Sequence, residues 1–243
     1  MKKFSILLLT FLSIPWVHAQ RIVVASELYP GYVNEDKTGM YLDILSEAYP
    51  EADIELIITT YDRAVRLVVN KKADLWLGAY FNEHKDALYP RYHFDHDKVA
   101  AVYLVDNFPN NELLSIEDKK AAWVSGYNFE KYFQLNQAVY LVADIETGFR
   151  MLEAQRVEIF IDDLVEIKNA SAFNKSMATK VLKKIALYPA FAKTDRGIKL
   201  LEQWDTNLEK IIDNGRLKAI FDLDPMSEYP YKEIDNPHDN KVK

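Results

Sequence analysis

The strongest constraint in this chain is an internal repeat. Residues 66–77 (RLVVNKKADLWL) lie over residues 150–161 (RMLEAQRVEIFI) at a constant offset of 84. Apolar meets apolar at Leu67/Met151, Val68/Leu152, Ala73/Val157, Leu75/Ile159, Trp76/Phe160 and Leu77/Ile161, and charge sign is kept at Lys72/Arg156 and Asp74/Glu158. An amphipathic run, a short polar turn and a buried apolar run spell helix, tight turn, strand, so the chain carries that unit twice. The residues before the first copy alternate in the same manner: a strand over 22–25, a helix over 40–49 with Leu42, Leu45 and Ala48 on one side and Pro50 as its stop, then a strand over 54–59. Strands alternating with helices predict an α/β fold of mostly parallel sheet. Two copies so far apart predict two similar lobes, each of ordinary domain size. Residues 197–223 read as two amphipathic helices with Leu200, Trp204, Leu208 and Ile211 inward, broken at Asn214 and Gly215, and are expected to return over the first lobe. Pro, Asp, Asn and Lys dominate 227–243, which is read as a frayed tail.

Composition removes several functional classes. A formal charge of -7 over 243 residues gives no electrostatic footprint for nucleic acid. The absence of cysteine excludes thiol catalysis, cysteine metal sites and disulfides. With seven glycines and no GxGxxG, GxxxxGK[ST] or GxSxG, nucleotide cradles and hydrolase elbows lose their usual support. Residues 1–19 carry Lys2 and Lys3, an apolar run over 4–17 and small residues before Gln20, the pattern of a cleaved signal peptide. The run falls short of the roughly 20 residues of a membrane span. The expected product is a periplasmic, monomeric protein without stable membrane insertion.

The segments VASELYPGY (24–32), GMYLD (39–43), KADLWLG (72–78), SIED (115–118), WVSG (123–126), 156–163 and DNGRL (213–217) occur in an order and spacing that resemble the periplasmic solute-binding proteins of amino-acid ABC importers, the bacterial extracellular solute-binding protein family 3. The resemblance runs over about 21–223. It implies a two-lobe periplasmic-binding-protein-like fold of type II, each lobe a mostly parallel sheet flanked by helices, with two hinge crossovers near 105–110 and 187–192. Lobe 1 is then 20–106 plus 190–226 and lobe 2 is 107–189. It also implies closure on a small solute, no cofactor, and an ABC permease or a membrane sensor as partner.

In open α/β sheets the ligand sits beyond the carboxyl ends of the strands, and the candidate residues follow. After the first strand come Glu27, Tyr29 and Tyr32, rings able to wall a solute or ordinary surface tyrosines around a Pro-Gly turn. After the strand at 74–77 come Gly78, Tyr80, Asn82 and Lys85. The family resemblance places a hydroxyl residue and a carboxylate-gripping arginine where Asn82 and Lys85 stand; a one-residue slip gives Glu83 and Asp86 instead. Lysine lacks the planar fork of arginine, which puts an ordinary α-amino acid ligand in doubt, and Arg63 is either the replacement or a solvated helix charge. Gly126, Tyr127 and Asn128 are expected to open a helix over 129–135 whose free amides either receive an anion or are capped by Asn128. Asp163 lies where the family places an acid for a ligand ammonium, and equally where a helix starts.

Catalytic readings are poorer. His93, Asp95, His96 and Asp97 lack helical metal-ligand geometry and are taken as a solvated loop, with no metal. Glu27 and Asp163 would serve as the acid and base of a dehydratase-like enzyme, but no spacing selects that chemistry. The expected function is non-catalytic capture of a small polar or zwitterionic, amino-acid-like solute for an ABC importer. The runner-up is a secreted sensory module.

Overall fold

The computed structural model describes residues 20–231 apart from Pro109, Asn111, Pro225 and Met226. The expected signal peptide, 1–19, and the tail from 232 onward lie outside the described residues. In chain order the elements begin β1 (Gln20–Ser26), α1 (Met40–Ala48), β2 (Ala52–Ile58), α2 (Tyr61–Val69), β3 (Leu75–Tyr80), β4 (Ala87–Leu88) and β5 (Asp95–Leu104). They continue with β6 (Ala121–Val124), β7 (Tyr140–Val142), α3 (Ile145–Glu153), β8 (Ile159–Asp163), α4 (Leu164–Asn169), β9 (Met177–Ala192), α5 (Asp195–Asp213) and α6 (Arg216–Phe221).

The repeat is structural. Helices α2 and α3 start and end 84 residues apart, and Leu75 and Ile159 open β3 and β8 at the same offset. Each copy docks its strand beside a parallel partner, β3 on β1 and β8 on β6, and a third parallel strand, β2 or β7, closes the outer edge. The matched acids do the same work. Asp74 Oδ2 accepts the amide of Val23 (2.9 Å), just before Val24 pairs with Leu75; Glu158 Oε2 accepts the amide of Lys120 (3.0 Å), just before Ala121 pairs with Ile159. An acid at the turn thus fixes the register of each three-stranded parallel unit.

The full order is β2-β1-β3-β9-β5-β8-β6-β7, with β4 on β9. Strands β5 and β9 run antiparallel to each other and to their neighbours and carry the chain between the two units. β5 pairs with β8 from Val99 onward, and β9 pairs with β3 from Leu187 onward. Between them residues 95–98 and 184–187 form a two-stranded ribbon, with a register shift at Val99/Ala100. Residues 105–110, where the first crossover was expected, follow this ribbon in the chain.

The C-terminal helices cover the first unit. Leu200, Trp204, Leu208 and Ile211 of α5 are buried, Tyr49 Oη donates to the carbonyl of Leu200 (2.8 Å), and Asn207 Nδ2 donates to the carbonyl of Ala48 at the end of α1 (2.8 Å). Gly215 in the left-handed region (φ 77°) makes the break before α6. The frayed tail expected from 227 is corrected over 227–231. Tyr231 is buried, its hydroxyl donates to the carbonyl of His93 (2.6 Å), and Glu228 takes Lys98 and Lys184 from the two ribbon strands (2.7 Å each). An aromatic anchor and a shared carboxylate hold a segment that bulk composition marks as polar. No helix among the described residues is long and apolar enough to cross a membrane.

Candidate functional site

Parallel strands that end at the same level leave their following loops side by side, and both units present those ends to the ribbon between them. A cavity of about 180 Å³ lies there. The first unit contributes Tyr29 after β1, Tyr61 from the start of α2, and Gly78 and Tyr80 from the end of β3; the second contributes Tyr127 after β6 and Asp162 and Asp163 from the end of β8. The ribbon adds Asp95, His96, Asp97 and Lys98. Gly78 has φ 79°, and a side chain there would meet the hydroxyl of Tyr29 at 3.6 Å and its ring at 3.8 Å, so the backbone and that tyrosine form one continuous wall.

The tyrosines are fixed by hydrogen bonds to acids. Tyr41 Oη donates to Asp95 Oδ2 (3.0 Å), Tyr80 Oη to Asp97 Oδ2 (2.7 Å) and Tyr61 Oη to Glu83 Oε2 (2.6 Å). Burial holds the Tyr29, Tyr41, Tyr61, Tyr80 and Tyr127 phenols far above their usual range, and pushes Tyr32 up to about 12. The acids are perturbed the same way. Asp95 is pushed up to about 7 by burial, against the hydrogen bonds of the His96 amide and Tyr41. Asp97 and Asp162 are also raised, first by burial and then by neighbouring carboxylates.

Asp163 does two things at once. It lines the cavity, and its Oδ1 accepts the amides of Val165 (2.8 Å) and Glu166 (3.4 Å) while Oδ2 accepts the amide of Lys98 (3.1 Å). It therefore caps α4 and ties that helix to the ribbon.

Six of the twelve expected residues, Tyr29, Tyr32, Gly78, Tyr80, Tyr127 and Asp163, line the cavity. The other six, Glu27, Arg63, Asn82, Lys85, Gly126 and Asn128, do not. Arg63, Asn82 and Lys85 are exposed, and none of them lines the cavity. The slipped register fares differently: Glu83 turns inward beneath Tyr61 and Tyr80, while Asp86 is exposed. Glu27 is half-buried and receives the Tyr61 amide. The helix expected over 129–135 is a single 3-10 turn, Phe129–Lys131. Asn128 sits in the left-handed region (φ 52°) and donates to the carbonyl of Gly126 (2.8 Å) rather than capping, because Phe129 is pulled inward against Trp123, Tyr80 and Tyr127. The anion-binding helix start is thereby lost.

Residues 93–97 are not a solvated loop. Asp95, His96 and Asp97 belong to β5, and His93 and Asp95 are buried. Burial pushes the His93 imidazole down to about 4, against the ring of Tyr231. The strand was legible in the alternation of DHDKV, which sets Asp95, Asp97 and Val99 on one face. Tyr41 and Tyr61 escaped notice because they sit in the first turns of helices rather than just past strands.

No protein-family model matches the chain, and no curated protein matches it. Solved structures match its fold. A histidine kinase sensor domain with similarity to periplasmic binding proteins has a TM-score of 0.68 at 14% identity, covering 87% of this chain and 99% of that one. An ABC uptake transporter substrate-binding protein from Streptococcus pneumoniae with bound histidine has a TM-score of 0.67 at 12% identity, covering 87% and 95%. The GluR0 ligand-binding core from Nostoc punctiforme in complex with L-glutamate has a TM-score of 0.62 at 13% identity, covering 83% and 98%. The fold is thus the α/β, periplasmic-binding-protein-like one.

Proposed function

We propose that this chain is an exported, non-catalytic solute-binding protein that takes a small polar solute between two lobes. The lobes are residues 20 to about 98 with the stretch from about 184 onward, and the stretch between. The observation that carries this is the placement of the cavity, at the carboxyl ends of both parallel units and against the two strands that join them among the described residues. Such a ribbon bends more easily than either unit deforms, so a guest touching both units favours the shut form by its differential contacts. Tyr61 against Tyr127 (5.9 Å between ring centres) and Lys131 Nζ donating to the carbonyl of Glu83 (2.7 Å) are contacts that shutting makes.

The dehydratase-like alternative loses its support. Glu27 is absent from the cavity wall and both oxygens of Asp163 are taken by backbone amides. Import and sensing both suit the geometry. Sensing is favoured by the likeness to a kinase sensor domain, and import by the likeness to transporter substrate-binding proteins. A thermal-shift panel of amino acids, amines, sugars and dicarboxylates, followed by calorimetry, tests the binding reading, because a ligand selective for the folded state raises its melting temperature. One compound binding at 1:1 without turnover is the expected result. Turnover, or no stabilisation by any class, overturns it. A permease and ATPase encoded beside the gene would favour import, and a signalling kinase there would favour sensing.

A further inference from the structure

The cavity wall has an unbalanced charge. Asp95, Asp97, Asp162, Asp163, Glu166 and Glu228 line it, and of these only Glu228 has a lysine or arginine nitrogen within ion-pair distance among the described residues. Its two lysines are otherwise placed. Lys98 pairs with Glu228 (2.7 Å), and Lys168 is exposed. His96 is pushed toward its neutral form, first by burial and then by Lys184. No arginine among the described residues lines the wall.

Asp162 is the most telling member. It is 2% exposed, it lines the cavity, and its only hydrogen bond among the described residues is to Oδ1, from the amide of Asp163 (2.8 Å). The second oxygen is left for the cavity. The charged groups that act most strongly on Asp162 are Asp163, Glu166 and Glu27, all carboxylates, and Asp97 interacts with it as well. A buried carboxylate in such company must hold a proton or meet a cation. Tyr29, Tyr61, Tyr80 and Tyr127 line the same wall, and aromatic rings attract ammonium groups to their faces at about 0.5–2 kcal/mol each. A carboxylate on the guest would find no clamp and would face five acids that no lysine or arginine pairs.

We propose that the guest of this cavity is a small organic ammonium compound without a carboxylate, its charge held by Asp97 and Asp162 and its carbon skeleton walled by the tyrosines. This rests on the solute-binding reading above and narrows its ligand class. A space of about 180 Å³ suits a compact amine rather than a peptide.

The test is calorimetry on the full exported protein with pairs that differ in the carboxylate: putrescine against ornithine, and choline against glycine betaine. The expected result is that at least one carboxylate-free member binds 1:1 and at least tenfold more tightly than its partner. Its affinity should fall at least tenfold in Asp97→Asn and in Asp162→Asn, both of which keep an acceptor for the hydrogen bonds now made. Ornithine or betaine binding as tightly as its partner overturns the ligand class but leaves solute binding intact, as does a sugar or dicarboxylate binding where no amine does. Calcium binding as tightly as the amines would also overturn it, making the site one for any cation. Failure of every class overturns both readings. If a variant does not fold, the paired comparison on the native protein still decides.

Discussion

Asp163 separates two roles that one carboxylate can play, and its replacement gives numbers for each. In alanine the Oδ1 cap of α4 is lost, a change that typically costs about 1 kcal/mol. The amide of Lys98 also loses its acceptor in a part-buried position, for about another 1 kcal/mol. Removing a charge that raises Asp97 and Asp162 works in the opposite direction and trims the total, so Asp163→Ala should destabilise by about 1–2 kcal/mol. Asparagine caps nearly as well as aspartate and removes the same charge, but its Nδ2 replaces the oxygen that accepts the Lys98 amide, so Asp163→Asn should recover only the capping part and destabilise by about 1 kcal/mol less than alanine. In urea, with a slope of about 2–3 kcal/mol/M, alanine lowers the midpoint by about 0.3–1 M and asparagine lowers it by clearly less. Equal losses in both variants, or none in alanine, would refute the capping account.

Other consequences are as direct. Asp95 holds its proton up to about pH 7 when folded and only to about 4 when unfolded, so it contributes stability that is lost as pH rises from 4 through 7, at most about 1.4 kcal/mol per pH unit. Tyr41, the His96 amide, Asp163 and Asp224 act on it, and Asp95→Asn should flatten the decline seen by urea unfolding between pH 5 and 7.5, even though His93, neutral when folded down to about 4, works in the reverse sense. Tyr231→Ala empties a buried ring site and frees the C-terminal segment from His93; unfolding should show a loss of about 3 kcal/mol, and no loss would mean that segment carries no load. Gly148→Ala would set a methyl 2.2 Å from the ring of Phe160 and should cost about 1–3 kcal/mol by thermal unfolding, whereas an unchanged melting temperature would place that ring elsewhere.

How much of this was legible in the sequence depends on which interactions are local. The repeat at offset 84 was visible because each copy is a contiguous helix, turn and strand, and Asp74 and Glu158 were visible as a matched pair before their shared role was known. The C-terminal helices announced themselves through their spacing and Gly215. The site was only half legible. Looking just past strands found Tyr29, Gly78, Tyr80 and Asp163, but a cavity also takes its wall from helix starts, as at Tyr41 and Tyr61, and from the joining strands, as at Asp95 and Asp97. Nothing in the run DHDK says that its polar residues will be enclosed by tyrosines from α1 and β3. The helix at 129–135 failed for a similar reason, since Phe129 is claimed by distant aromatic rings.

The most direct test of the central claim is native mass spectrometry of the freshly isolated protein beside its Asp97→Asn/Asp162→Asn variant. A 1:1 adduct of low mass on the native protein, missing from the variant, is the predicted result. A native protein that flies bare, or an adduct that survives in the variant, would contradict it.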